Sequence, residues 1–95
     1  MAATPPLPTL DFYERPDCAI CAEARTVLQA VLEDRARRGQ PIAGVRYVDV
    51  AGQPDLEARY GAVLPVLALA GRELSLTTSY RAIDHFLNAT LPALA

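Results

Sequence analysis

Several kinds of chemistry are excluded by what the chain lacks. It has no excess of positive charge: nine Lys and Arg face eleven Asp and Glu, for a formal net charge of −2. A nucleic-acid binder needs a basic face to neutralise phosphates, so none is expected as a partner. No apolar run approaches the roughly 18 residues that span a bilayer, so no membrane partner is expected. Met1–Leu10 has three prolines and no Lys or Arg, and lacks the positive and apolar regions of a secretory signal. The expected location is cytoplasmic. With only two cysteines, three residues apart, the chain is no disulfide scaffold, because so short a loop removes little unfolded-state entropy. One histidine, His85, joins them, short of the four Cys or His ligands of a usual structural zinc site. On a helix His85 faces away from Ile83 and Phe86, as an exposed surface residue does. A metal or iron–sulfur cluster could enter only through a site shared between two chains, by way of Cys18.

What remains is a compact unit. The 95 residues fit one domain, and the 52% hydrophobic content is ample for its core. Residues 1–7 are expected to form a flexible Pro-rich lead-in, residues 8–90 the domain and residues 91–95 a tail. Leu10–Tyr13 reads as a strand ahead of Pro16. From Ala19 a helical period takes over: Ile20, Ala24, Val27, Leu28, Val31 and Leu32 define a buried face. Arg35, Arg37 and Arg38 suit the negative end of that helix and Gly39 stops it, although the same cluster could form a phosphate-binding patch. Val45–Val50 is a β-branched strand. Pro54 opens a short helix over Asp55–Tyr60, closed by Gly61. Val66–Leu69 reads as a central strand, and Gly71-Arg72 turns into a strand over Glu73–Leu76. Thr77, Thr78 or Ser79 can cap a last helix with Tyr80, Ile83, Phe86 and Leu87 on its apolar face, ended by Asn88 and Pro92. The order β-α-β-α-β-β-α makes the first two strands parallel and the last two an antiparallel hairpin. The expectation is an α/β fold: a four-stranded mixed sheet with helices on both faces.

The chemistry concentrates in Cys18-Ala19-Ile20-Cys21, where a strand gives way to the long helix. Cys18 falls at the helix start, where unpaired N–H groups and the dipole favour a thiolate. Arg15 reinforces that effect and Asp17 opposes it. Cys21, one turn further, shares a face with Ala24 and Leu28 and points inward. Residues three apart on a helix are neighbours, so the two sulfurs can bond. Cys18 is therefore the expected nucleophile and Cys21 the resolving cysteine. Two inert buried thiols are the alternative.

Phe12 to Cys21 (Phe12-Tyr13-Glu14-Arg15-Pro16-Asp17-Cys18-Ala19-Ile20-Cys21) resembles the opening of glutaredoxins and of small bacterial glutaredoxin-like proteins. Asp55–Gly61 followed by Val63-Leu64-Pro65-Val66-Leu67 resembles their second helix and the loop to their third strand. The similarity covers roughly residues 8 to 90. It implies a thioredoxin fold, with Pro65 cis and facing the cysteines. It further implies that Leu64 offers its N–H and C=O to an extended thiol ligand, by β-strand addition. Arg15 matches a basic position that could contact a ligand carboxylate, or could simply be solvated. Thr78 and Ser79 could hold a carboxylate at a helix start, or serve only as caps. The chain departs from the family in having Ala19 and Ile20 between the cysteines. Ser75 and Leu76 stand where a Gly-Gly pair of the glutathione pocket is usual.

The expected function is thiol–disulfide exchange by the Cys18–Cys21 couple on protein or low-molecular-weight disulfides. Glutathione is a candidate co-substrate, no resident cofactor or metal is expected, and the chain is expected to act as a monomer. The alternative is a redox-inert binding module on the same fold.

Overall fold

The computed structural model describes residues 7–91. The expected lead-in and tail therefore lie almost wholly outside the described residues. At their margins, Leu7 is exposed, whereas Leu91, the first residue assigned to the tail, is buried in the core.

The elements run β1 (Thr9–Glu14), α1 (Ala19–Arg37), β2 (Gly44–Asp49), α2 (Pro54–Tyr60), β3 (Val66–Leu69), β4 (Arg72–Ser75) and α3 (Tyr80–Thr90). They build one four-stranded sheet in the order β2-β1-β3-β4. β1 pairs with β2 in parallel, from Thr9 opposite Gly44 to Glu14 opposite Asp49. β3 is antiparallel to both β1 and β4. This is the α/β thioredoxin arrangement expected from the sequence, with a mixed sheet between layers of helices.

Alternation along the strands separates the two layers. Leu10 and Phe12 of β1, with Leu67 and Leu69 of β3, pack against α1 and α3 in the main core. Tyr13 and Val66, opposite each other in the register, face the other way, onto Leu56 and Tyr60 of α2. Asp11 and Arg46, also on that second face and opposite in register, form a two-pronged ion pair with 2.9 and 3.1 Å contacts.

The buried stripe of α1 is Cys21, Ala24, Leu28, Val31 and Arg35, at steps of three and four. Gly39, at φ 69°, closes the helix: its N–H donates to Ala36 O and that of Gln40 to Arg35 O. That is a Schellman motif, in which glycine takes the left-handed position. The β3–β4 hairpin turns through Ala70 and Gly71, both at positive φ, with Leu69 opposite Arg72. Two positive φ values give the turn whose twist suits a two-residue hairpin. The turn therefore lies one residue earlier than expected, and β4 starts at Arg72 and ends at Ser75.

Three further expectations are corrected. Arg35 is neither a solvated helix-end cation nor part of a surface phosphate patch: it is 1% exposed. Its Nε donates to Pro41 O at 2.7 Å, and its Nη1 donates to Asp84 Oδ1 at 2.9 Å and Asn88 Oδ1 at 2.6 Å. Asn88 does not end α3, which continues to Thr90; its side chain serves Arg35 instead. Tyr80 is exposed at the start of α3, and its hydroxyl donates to Asp34 Oδ2 at 2.6 Å. The α1–α3 contact thus carries two polar ties beside its apolar seam.

Burying a guanidinium is tolerated only while its partners remain, and removing one partner of a buried pair costs about 3–5 kcal/mol. Asp84→Ala is expected to lower unfolding free energy by about 3 kcal/mol in urea denaturation. A loss within about 0.5 kcal/mol, typical of an indifferent surface position, would contradict this role.

Candidate functional site

The cysteines sit at the corner where β1 hands over to α1. Pro16 and Asp17 form a turn, and the Cys18 N–H closes it onto Arg15 O at 3.4 Å. Cys18, with φ −106° and ψ 104°, is the N-cap of α1, and its sulfur accepts the Cys21 N–H at 3.2 Å. A residue that caps through sulfur lays that atom over the unpaired N–H groups of the first turn. Cys18 is half-buried, whereas Cys21 is completely buried. Their Cα atoms are 5.2 Å apart and the sulfurs are joined as a disulfide. One sulfur of the bond is reachable from solvent and the other belongs to the core. Ile20, between them, was expected on the buried face of α1 and is instead exposed, because the buried stripe of the helix begins only at Cys21.

The second half of the site is the loop from α2 into β3. The Leu64–Pro65 peptide bond is cis. Leu64 and Pro65 are buried, and Leu64 shares an apolar cluster with Cys21, Val50, Tyr60 and Val66, against which Cys18 also packs. Pro65 O accepts the Leu76 N–H at 3.0 Å, while the N–H and C=O of Leu64 have no hydrogen-bond partner among the described residues. A peptide left unpaired in this way can take an extended strand.

Other candidate residues are engaged elsewhere. The Arg15 guanidinium reaches across to α2, donating to Glu57 Oε1 from Nε at 2.9 Å and from Nη2 at 2.6 Å, with Gly61 O 3.5 Å from Nη1. The Glu57 hydrogen bond, more than its charge, holds the Arg15 pKa above its ordinary value. Arg15 therefore ties the Cys18 turn to the helix that leads into Pro65. Ser79 caps α3, its Oγ accepting the Ala82 N–H at 3.1 Å. Thr77 Oγ1 accepts the Ser79 N–H at 3.0 Å, and Thr78 is half-buried beside them. Leu76 follows β4 with φ 56° and its side chain exposed.

A cavity of about 520 Å³ opens beside Cys18, with Glu14, Arg15, Arg25 and Asp49 in its wall. Its two cations are paired. Arg25 is bound to Glu14, which raises its pKa, and lies 3.9 Å over the Tyr47 ring. His85 is exposed on α3. Among the described residues no group of three or more His, Cys, Asp or Glu is arranged to hold a metal ion. None of the described helices is long and apolar enough to cross a membrane.

Beneath the disulfide, Tyr13 and Tyr60 stack with centroids 4.3 Å apart. The Tyr60 hydroxyl donates to Glu73 of β4. That hydrogen bond, then burial and the Glu73 charge, push the Tyr60 pKa up to about 12. Neither this stack nor the Arg15 tie was foreseen from the sequence. The one available signal was the i, i+4 placement of Glu57 and Gly61 on one face of α2, which receives Arg15.

Two outcomes test this framework. A Cβ on Gly61 would lie 2.5 Å from Glu57 O and 2.9 Å from Arg15 Nη2. Gly61→Ala is therefore expected to cost about 1–3 kcal/mol by urea denaturation. Arg15→Ala, which loses only a part-exposed ion pair, is expected to destabilise less than Gly61→Ala; the reverse order would contradict the packing. A phenol whose folded pKa is raised contributes stability that is complete below its unfolded value of 10.0 and lost as pH climbs through about 12. Ultraviolet phenolate titration should show one late step near pH 12, absent from Tyr60→Phe. A titration curve that Tyr60→Phe leaves unchanged around pH 12 would contradict the Tyr60–Glu73 bond.

The relationships of the chain agree with this geometry. Residues 9–90 match the family model described as Glutaredoxin-like domain (DUF836). No curated protein matches the sequence. Among solved structures, the chain is similar to protein XcR50 of X. campestris. The crystal structure is 29% identical, with a TM-score of 0.71 over 85% of this chain and 97% of that one. The solution structure gives 0.68 at the same 29% identity, over 90% and 97%. Thioredoxin 1 of Thermosipho africanus superposes with a TM-score of 0.55 at 12% identity, covering 85% of this chain and 96% of that one. At that identity the likeness concerns the fold alone. The match over nearly the whole chain, on a thioredoxin fold with its cysteine pair at the β1–α1 corner, makes this protein a member of the glutaredoxin-like domain family.

Proposed function

We propose that the protein is a thiol–disulfide oxidoreductase that works through Cys18 and Cys21. The observation that carries this reading is the asymmetry of the pair. The half-buried Cys18 sulfur accepts a helix N–H, while Cys21 is sealed in the core. In the reduced protein the same N–H and the helix dipole stabilise a Cys18 thiolate.

The Cys18 thiolate attacks one sulfur of a substrate disulfide; a Cys18–substrate S–S bond forms as the substrate's own bond breaks, and the leaving thiolate takes the electron pair. The Cys21 thiolate then attacks Cys18 Sγ, forming the Cys18–Cys21 bond and expelling the second substrate sulfur as a thiolate. The substrate gains two electrons and the protein loses two. Two molecules of an external thiol, with glutathione as the candidate, return the pair to the dithiol by the reverse exchange and leave as their own disulfide. The unpaired Leu64 peptide beside Pro65 supports docking of the substrate backbone during attack. Arg15 acts by positioning, through Glu57, rather than by touching substrate. Ser79, with Thr77, caps the start of α3, and Thr78 stands beside them as a candidate contact for a substrate carboxylate. One copy of the chain carries both cysteines and both loops, which favours action as a monomer, and a reducing cytoplasm suits a dithiol of this kind.

Replacement of each cysteine separates the two roles. Cys18→Ser is expected to abolish reduction of a small disulfide. Cys21→Ser is expected to accumulate a mixed disulfide at Cys18, visible by intact-mass spectrometry. Exchange by Cys18→Ser at the wild-type rate would overturn the proposal and favour a redox-inert binding module.

A further inference from the structure

We infer that the site is built for an extended protein segment whose disulfide-bonded cysteine is flanked by apolar side chains, with Ile20 and Leu76 as the specificity-determining residues. The inference rests on the reading of Cys18–Cys21 as an exchange pair and names its substrate class.

Four large hydrophobic residues are exposed among the described residues, Leu7, Ile20, Leu76 and Tyr80, and two of them border the cysteine site. Ile20 lies between the cysteines on the first turn of α1 and is 44% exposed, although the buried stripe of that helix begins at the next residue. Leu76 is 58% exposed and is held beside the second loop by its N–H on Pro65 O at 3.0 Å. Its φ of 56° lies in the left-handed region, which L side chains other than Asn and Asp rarely enter. Neither core packing nor backbone preference accounts for a leucine there. Strain at an exposed side chain is a recurrent mark of a binding position.

The occupant follows from the backbone beside Leu76 and from the charges around the cysteines. Next to Pro65, which anchors Leu76, is the unpaired N–H and C=O of Leu64, which recognises extended backbone rather than a particular side chain. The guanidiniums that border the pair, Arg15 and Arg25, are held by Glu57 and Glu14. The chain has no lysine, and Asp17 next to Cys18 is exposed. Arg81, on the first turn of α3, lines a separate concavity with His85 and Asn88. The two carboxylates of a glutathione-like tripeptide therefore meet no unengaged cation beside the cysteines, whereas apolar side chains of a protein segment meet Ile20 and Leu76. The chemistry is the exchange written above: the segment's disulfide is reduced by two electrons and Cys18–Cys21 is oxidised.

The test uses the reduced full chain and four disulfides. Two are extended peptides identical except for Leu and Val, or Ser and Asn, flanking a single cysteine held as a mixed disulfide with one small thiol. The others are glutathione disulfide and hydroxyethyl disulfide. The apolar peptide is expected to be reduced about tenfold faster than the polar one. Leu76→Asn, which keeps a residue tolerant of positive φ, is expected to erase most of that ratio, as is Ile20→Gln. Leu76→Gly, which relieves the backbone altogether, should act in the same direction. Equal rates on the two peptides, a ratio unchanged in all three variants, or glutathione disulfide outpacing the apolar peptide would each overturn the specificity while leaving exchange intact. A wild-type chain that reduces none of the four, hydroxyethyl disulfide included, would overturn the exchange reading and the specificity together.

Discussion

The buried stripe of α1 fixes both the chemistry at one end of the molecule and the buried charge at the other. It starts with a cysteine and ends with an arginine, and the three apolar residues between them seat the helix on β1 and β3. Because Cys21 is the first position of that stripe, the residue three before it falls at the N-cap, outside the core and over the open N–H groups. The chemical asymmetry of the two sulfurs is thus a consequence of helix register rather than of any dedicated binding group. At the far end, the same register buries Arg35, and α3 must present Asp84 and Asn88 to make that burial tolerable.

The site itself joins two corners of the fold that are distant in sequence. One is the β1–α1 turn with Cys18; the other is the α2–β3 loop with Leu64 and Pro65. Their apolar side chains meet in one small cluster under the disulfide. Arg15 spans the corners through Glu57 and Gly61, and Tyr60 ties the cluster to β4 through Glu73. The two loops that carry Cys18 and Leu64 are thereby held as one body.

Much of this was legible in the sequence because it is governed by short-range pattern. The bounds of β3, the start of α1 at Ala19 and the Pro54 entry to α2 follow from apolar runs, helical spacing and proline position. The cysteine pair was legible for the same reason: three residues at a strand–helix junction fix one sulfur out and one in. What escaped is governed by long-range partners. Arg35 looks like any helix-end cation until Asp84 and Asn88, 49 and 53 residues away, are folded against it. Arg15 has a charge suited to a ligand, and only the placement of α2 shows that the charge is already taken. The positive φ of Leu76 could not be foreseen because leucine gives no signal for that region; its placement follows from the hairpin register and the bond to Pro65. The turn at Ala70-Gly71 was misplaced by one residue for a similar reason, since alanine rarely marks a left-handed position.

On the proposed function, Cys18 and Cys21 form a reversible redox couple rather than a fixed bond or two idle thiols. Equilibration of the protein in glutathione redox buffers, with the state of the pair read by mass spectrometry after acid quench and alkylation, tests it most directly. A reversible couple gives a single two-electron transition between dithiol and Cys18–Cys21 disulfide, reached from either starting state, with any bound glutathione located on Cys18. Thiols that stay free, or a disulfide that stays closed, at every buffer ratio would contradict it.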